Sequence, residues 1–214
     1  MLTITLLSLL IASPLFSSIS PVQLSRVTAI AFFFAAALSF NGFYALTLGS
    51  GVSLYSGLFH VSTVSMGFEV LIFMTGGLIL LLNNKSTGLV PEYSMILTFT
   101  SIGASFLVSS TDLVSLYLAI ELQSFAVYIL AALYRNSESA TSAGLKYFLL
   151  GALSSAFILL GSSLIYSYTG LTNLDALQSL LSVQDTNLAS GLGLGVLIMT
   201  VGFLFKVASA PFHN

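Results

Sequence analysis

Apolar residues run through this 214-residue chain in long unbroken blocks, with no period-two alternation, separated by short polar stretches. Blocks of that length without alternation predict helices. Seven are expected, at about Leu2–Phe16, Val27–Leu48, Val61–Leu82, Met95–Val108, Leu113–Leu133, Leu145–Tyr168 and Leu192–Ala210. A tight Ser109-Ser110-Thr111-Asp112 turn separates the fourth from the fifth. Two of the connecting stretches have content of their own. Leu48 to His60 is rich in Gly and Ser and contains Tyr55, Leu58 and Phe59. Thr172 to Ser182 places Leu174, Leu177 and Leu181 at helical spacing behind Asn173, a good N-cap residue, and predicts a short helix lying in the membrane interface. Lateral packing against neighbours is the simpler role for both.

Composition assigns the class. Hydrophobic residues make up 57 % of the chain and charged residues 6 %, where a soluble domain carries about a quarter charged. The chain is therefore expected to be an integral membrane protein, and the lack of alternation selects helices over a barrel. Leu2 to Phe16 lacks the positive flank of a signal peptide and reads as a short first span. No linker or shift in composition divides the chain, which reads as one all-α membrane domain. The absence of cysteine excludes disulfides, thiolate metal sites and iron–sulfur ligation. A net charge of −2 with no basic cluster argues against a nucleic-acid partner and leaves lipid and other membrane chains. Outside the expected spans, Arg26, Lys85 and Arg135 fall in the first, third and fifth loops, and the other three loops contain no Lys or Arg. By the positive-inside rule those loops face the cytoplasm or matrix, and the N-terminus lies opposite.

The candidate chemistry is the set of charges inside apolar runs: Glu69, Glu121, Lys146 and Lys206. Glu121 lies about 14 Å along the Asp112–Arg135 run, near the middle of a hydrocarbon core about 30 Å thick. An acid there costs about 2.5–3.5 kcal/mol and is normally paired, hydrated or functional. Lys206 is equally deep in the last run. Pro211 cannot donate to Val207, so the helix is expected to break beyond the lysine, and His213 would share its face on a continuous helix. An inert Glu121–Lys206 pair would cost about as much as it returns, which favours function. Lys146, near the start of the sixth expected helix, is placed to snorkel to water. Glu69, in the outer third of the third, reads as structural. Tyr117, Ser124 and Tyr128 share the Glu121 face. Gly151, Ser154, Ser155, Ser162 and Ser163 in the sixth helix, with Gly191, Gly193, Gly195 and Gly202 in the seventh, describe a close-packed polar interior. Three readings fit: a proton path through Glu, Lys and His, a retinal-type photoreceptor, and a structural subunit. Against the second stand the absence of Trp and a proline five residues beyond the candidate Schiff-base lysine.

The run LYLAIELQSFAVYILAAL, then SAGLKYFLLGALSSAF, IYSYTGLTNL and VGFLFKVASAPFH, resembles the family of antiporter-like subunits of respiratory complex I that includes mitochondrial subunit 2 and bacterial subunit N. The resemblance covers Asp112 to His213. It implies two inverted five-helix repeats, each with a discontinuous helix, so that residues 111–214 and the fourth helix within 1–110 belong to the first repeat. It also implies proton-translocation roles: Glu121 as the fifth-helix carboxylate, Lys206 as its broken-helix lysine partner, Lys146 as a sixth-helix lysine and His213 as a histidine after the break. Glu69 carries nothing over. No redox centre, cofactor or metal is implied in this chain; the complex uses FMN, iron–sulfur clusters, NADH and ubiquinone. Implied partners are other membrane-arm subunits and, since a second repeat lies beyond Asn214, a truncated remainder or a separate chain carrying it. The implied location is the mitochondrial inner membrane, with the N-terminus toward the intermembrane space, or else the bacterial plasma membrane. A multisubunit cation/proton antiporter is the alternative function.

Overall fold

A computed structural model describes residues 1–15, 20–44, 51–82, 90–134, 136–183 and 189–209. Lys85, Arg135, Pro211 and His213 lie outside them. Among the described residues there are eight helices: α1 Leu2–Leu15, α2 Pro21–Gly42, α3 Thr63–Leu82, α4 Glu92–Ser109, α5 Leu113–Ala131, α6 Glu138–Thr169, α7 Leu174–Val183 and α8 Ala189–Lys206. Four of them, α2, α3, α5 and α6, are long and apolar enough to cross a membrane. That is fewer than the seven spans expected, for local reasons. The apolar helix α1 and the described part of α8 are shorter. Helix α4 has 18 residues and carries six Ser and Thr. Their hydroxyls donate to carbonyls three or four residues back, as in Thr98 to Met95 at 2.6 Å and Ser101 to Leu97 at 3.0 Å. Such back-bonding lets a hydroxyl enter a packed interior without a partner helix. Helix α4 accordingly sits among α1, α2, α3 and α5.

Two helix starts differ from expectation. Helix α2 begins six residues before Val27 because Ser20 and Gln23 form a capping box, each side chain bonding the other's backbone, with Pro21 in the first turn. Arg26 is therefore inside α2 and not in a loop. Helix α6 begins at Glu138 and not near Leu145, because Ser137 caps it by accepting from Ala140 N at 3.4 Å. Its 32 residues run about 48 Å at 1.5 Å per residue. Lys146 thus lies more than two turns inside the helix, which removes the reason for placing it at a terminus.

Among the described residues the packing forms two larger centres and a small one of Leu9, Leu24 and Met95. Phe32, Leu80, Phe73, Ala29 and Ile102, with Leu2 and Leu6, join α1 to α4. Leu113, Ile158, Ile165, Leu177 and Met199 join α5 to α8. Helices α6 and α8 run antiparallel, with backbones brought together at glycines. A Cβ on Gly161 would lie 2.7 Å from Gly195 O, and one on Gly202 would lie 2.8 Å from Ser154 O. Gly193, in the same series, faces open space.

One departure from the all-α expectation occurs within Leu48–His60. Val52–Leu54 (β1) and Phe59–Val61 (β2) pair antiparallel in the register Val52–Val61, Ser53–His60, Leu54–Phe59. The hairpin closes through Tyr55, Ser56 and Gly57, all at positive φ. Its tip is tied to the loops that flank α5 and α7. The Leu58 carbonyl accepts from Thr111 N at 3.1 Å and Ser115 Oγ at 3.0 Å. The Gly57 carbonyl accepts from Thr111 Oγ1 at 2.9 Å and Asn173 Nδ2 at 3.1 Å. Asp112 and Asn173 form an antiparallel bridge. Both also cap helices. The Asp112 carboxylate accepts from Val114 N at 3.0 Å, and Asn173 Oδ1 accepts from Asp175 N and Ala176 N. The short amphipathic helix expected behind Asn173 is α7. Its Leu177 is buried, while Leu174 and Leu181 are exposed.

Candidate functional site

Three helices supply the site. On α5, Glu121 and Ser124 are three residues apart and so share a face. On α6, Ser155 lies one turn beyond Gly151. On α8, Lys206 is the last helical residue. Its Nζ donates to Glu121 Oε1 at 3.2 Å and to Ser124 Oγ at 2.7 Å. Ser155 Oγ donates to the same Glu121 Oε1 and, at 3.0 Å, to the Gly151 carbonyl. Ser124 Oγ in turn donates a hydrogen bond to the Ile120 carbonyl at 2.7 Å. Hydrogen bonds thus run without interruption from Ser155 through Glu121 and Lys206 to Ser124. The acid and the lysine are 13 % and 17 % exposed, shielded enough to interact strongly yet open on one side.

The end of α8 helps to hold the ammonium. The Ala208 N–H bonds the Phe205 carbonyl at 3.1 Å, and the Ser209 N–H bonds the Leu204 carbonyl at 3.1 Å. Those two bonds make a Schellman closure, with Ala208 at φ 53° in the place usually taken by glycine. The chain therefore leaves the helix axis two residues after Lys206, before Pro211 is reached. The negative end of the helix macrodipole favours a cation at this point.

Because α8 stops here while α6 continues toward Glu138, one side of α6 has no described helix against it. A cavity of about 910 Å³ fills the gap, lined by Ser124, Tyr128, Lys146, Tyr147, Gly151 and Lys206 among others. Lys146 and Lys206, 60 residues apart in sequence, share its wall. Tyr128 is buried, with Tyr147 edge-on at 4.9 Å and Phe148 at 5.8 Å. Its hydroxyl lies against Gly151, where a Cβ would collide with it.

Of the residues singled out in the sequence, Glu121, Lys206, Ser124 and Ser155 meet directly, and Lys146 and Tyr128 line the same cavity. Ser154 is buried and bonds only the Gly151 carbonyl among the described contacts. Ser162 and Ser163 donate to Leu159 and Leu160 of their own helix and do not reach the site. Tyr117 packs with the second hydrophobic centre. Glu69 is elsewhere, accepting from Ser39 Oγ at 3.3 Å. His213 lies outside the described residues. Tyr147, exposed in the KYF sequence beside Lys146, was not anticipated; its adjacency to the lysine was the available signal. Among the described residues, no group of three or more His, Asp or Glu side chains is placed to hold a metal ion.

Known proteins resemble this chain in sequence and in fold. A family model described as NADH:quinone oxidoreductase/Mrp antiporter, TM, matches residues 110–214. NADH-ubiquinone oxidoreductase chain 2 of Rhizopus oryzae is 50 % identical over 230 residues, covering 97 % of this chain and 44 % of the relative. NADH-quinone oxidoreductase subunit N 1 of Rhizobium meliloti (strain 1021) is 43 % identical over 122 residues, covering 57 % of this chain and 25 % of the relative. A chain of respiratory complex I from Thermus thermophilus, solved with bound aureothin, superposes with a TM-score of 0.79 at 28 % identity, over 99 % of this chain and 44 % of that one. The chain thus spans less than half the length of these relatives. With its motifs and its fold in agreement with these relatives, the chain is a homologue of NADH-ubiquinone oxidoreductase chain 2.

Proposed function

We propose that the chain acts in proton translocation as a membrane-arm subunit of NADH:ubiquinone oxidoreductase. The observation that carries this reading is the Lys206–Glu121 pair, seated between Ser124 and Ser155 on a cavity that also reaches Lys146. While the carboxylate is close it stabilises the ammonium; when α5 and α8 move apart, that stabilisation is lost and a proton can leave. The cavity then offers it a route past Lys146, with His213 beyond the helix end as a further relay. Helices α4, α5, α6 and α8 belong to the first of two inverted five-helix repeats, and the onward groups belong to the second, which lies outside residues 1–214. NADH oxidation and quinone reduction take place in other subunits, which hold the FMN and iron–sulfur clusters, and their free energy drives the separation of the pair. The setting is the mitochondrial inner membrane, supported by the similarity to a fungal chain 2. The N-terminus lies on the intermembrane-space side.

The test is Glu121→Gln and Lys206→Ala in the assembled complex, with proton-to-electron stoichiometry as the readout. Both are expected to lower it while the complex stays assembled. Unchanged stoichiometry in either variant would sink the proposal. The family description names Mrp antiporters as well, so a cation/proton antiporter is the second reading. Sodium- or potassium-dependent proton exchange in vesicles, without copurifying NADH dehydrogenase activity, would favour it.

A further inference from the structure

Lys146 shares a cavity with the Lys206–Glu121 pair, but among the described residues no hydrogen bond joins them. Ser155, which donates to Glu121, is nine residues beyond Lys146 on α6. At 1.5 Å per residue that is about 13.5 Å of helix, whereas one hydroxyl hydrogen bond spans about 2.7–2.8 Å. A proton leaving the pair therefore cannot reach Lys146 in one step.

Tyr128 stands in that gap. Its hydroxyl lies against Gly151, four residues from Ser155 and five from Lys146, or about 6 Å and 7.5 Å along the axis. It also interacts with Ser124, one turn back on α5, and with the Glu121 carboxylate. The ring is held in place. It is buried, with Phe125, Tyr147 and Phe148 set edge-on to it at 6.1, 4.9 and 5.8 Å, the arrangement that aromatic quadrupoles favour. Gly151 leaves the space at its tip, since a Cβ there would collide with the hydroxyl and lie 2.8 Å from ring carbon Cε1. A neutral phenol both donates and accepts at one oxygen, which is what a proton carrier between two groups requires. The other hydroxyls on the α6 wall are worse placed: Ser154 donates to the Gly151 carbonyl, and Tyr147 is 46 % exposed.

We propose that Tyr128 is the relay between the Lys206–Glu121 pair and Lys146. Ser124 takes a proton from the Lys206 ammonium and turns its own from the Ile120 carbonyl to the phenol oxygen. The phenol passes its original proton to the neutral amine of Lys146, over a cavity water for which about 910 Å³ leaves room. At Tyr128 one O–H bond forms as another breaks, so the residue is neutral before and after. Gly151 is then a positioning residue. This inference deepens the proton-translocation reading and rests on it.

The experiment uses the assembled complex, with proton-to-electron stoichiometry as the readout. Tyr128→Phe keeps the ring and removes only the hydroxyl. Stoichiometry is expected to fall as far as in Glu121→Gln, and to hold in Tyr147→Phe. A ring-fluorinated tyrosine in place of Tyr128 has a more acidic phenol. It is expected to keep stoichiometry while moving the alkaline limb of the pH profile to lower pH, which a hydroxyl that only packs would not do. Wild-type stoichiometry in Tyr128→Phe would overturn the proposal and leave cavity water as the carrier. So would an equal fall in Tyr147→Phe, or an unmoved profile with the fluorinated residue. If Tyr128→Phe does not assemble, the fluorinated variant decides. A fall in Glu121→Gln without one in Tyr128→Phe removes this inference and spares the reading beneath it; no fall in either removes both.

Discussion

Gly202→Ala tests whether the α6–α8 seam holds Lys206 in place. Gly202 is one turn before Lys206 on α8, and its hydrogen points at α6. An added Cβ would lie 2.6 Å from Ile158 Cγ1, 2.8 Å from Ser154 O and 3.1 Å from Ile158 N. Two of those atoms are backbone and cannot rotate aside. Restoring ordinary contact requires α8 to move off α6 by about 0.5–1 Å, and overpacking of this kind costs about 1–3 kcal/mol. The intrinsic preference of a helix for Ala over Gly returns about 0.8–1.0 kcal/mol, so the net effect is a loss of up to about 2 kcal/mol. A shift of about that size along the contacts lengthens the 2.7 Å Lys206–Ser124 bond to about 3.2–3.7 Å and takes the 3.2 Å Lys206–Glu121 contact beyond hydrogen-bonding range. Gly193→Ala is the control, because nothing lies within 4 Å of its added Cβ and it receives the propensity gain without the clash. Proton-to-electron stoichiometry and thermal stability should both fall in the purified complex with Gly202→Ala, and neither with Gly193→Ala. If the two variants behave alike, the close approach at Gly202 does not position the lysine, and the reasoning is refuted.

Other residues give sharper separations. Ser155→Ala removes the hydroxyl that donates to Glu121 and should lower pumping stoichiometry, whereas Ser163→Ala, whose hydroxyl bonds its own helix, should not; equal effects would show that serine content alone matters. Asn173→Ala removes the α7 cap and the bond to Gly57, a loss of about 0.5–2 kcal/mol from the cap. It should raise protease sensitivity of the α6–α7 loop, and Asn173→Asp, which keeps the capping oxygen, should do so less. Ala208→Gly relieves the left-handed backbone at φ 53° and should stabilise the end of α8 by about 1 kcal/mol. A lower melting temperature in that variant would count against the Schellman closure.

Much of the site was legible because charge in hydrocarbon is costly wherever the chain runs. Glu121 and Lys206 stand out from apolar runs with no knowledge of the fold, and the same cost argues that they pair. Ser124 followed from its three-residue spacing. The choice of Ser155 over Ser162 and Ser163 did not follow, because α6 is apolar on nearly every side and its pattern marks no single inward face. Local chemistry set boundaries that hydropathy alone misplaced. Ser20 with Gln23, and Ser137 ahead of Glu138, are polar, so an apolar count skips them although they start α2 and α6. The β1–β2 hairpin escaped for a different reason: its tip is tied by bonds to Thr111, Ser115 and Asn173, up to 116 residues away.

By itself, then, the sequence determined a helical membrane chain, two deep charges of opposite sign, a helix ending near Lys206 and the family these motifs belong to. Each of those rests on composition, on the cost of burial or on short-range backbone chemistry, which neighbours in sequence settle. Only the tertiary structure decided that α6 runs on past the end of α8, which opens the cavity and brings Lys146 to the same wall. It also decided that Glu69 meets Ser39 in a seam apart from the site. Both outcomes depend on how far one helix extends past another, and that is set by packing between distant segments.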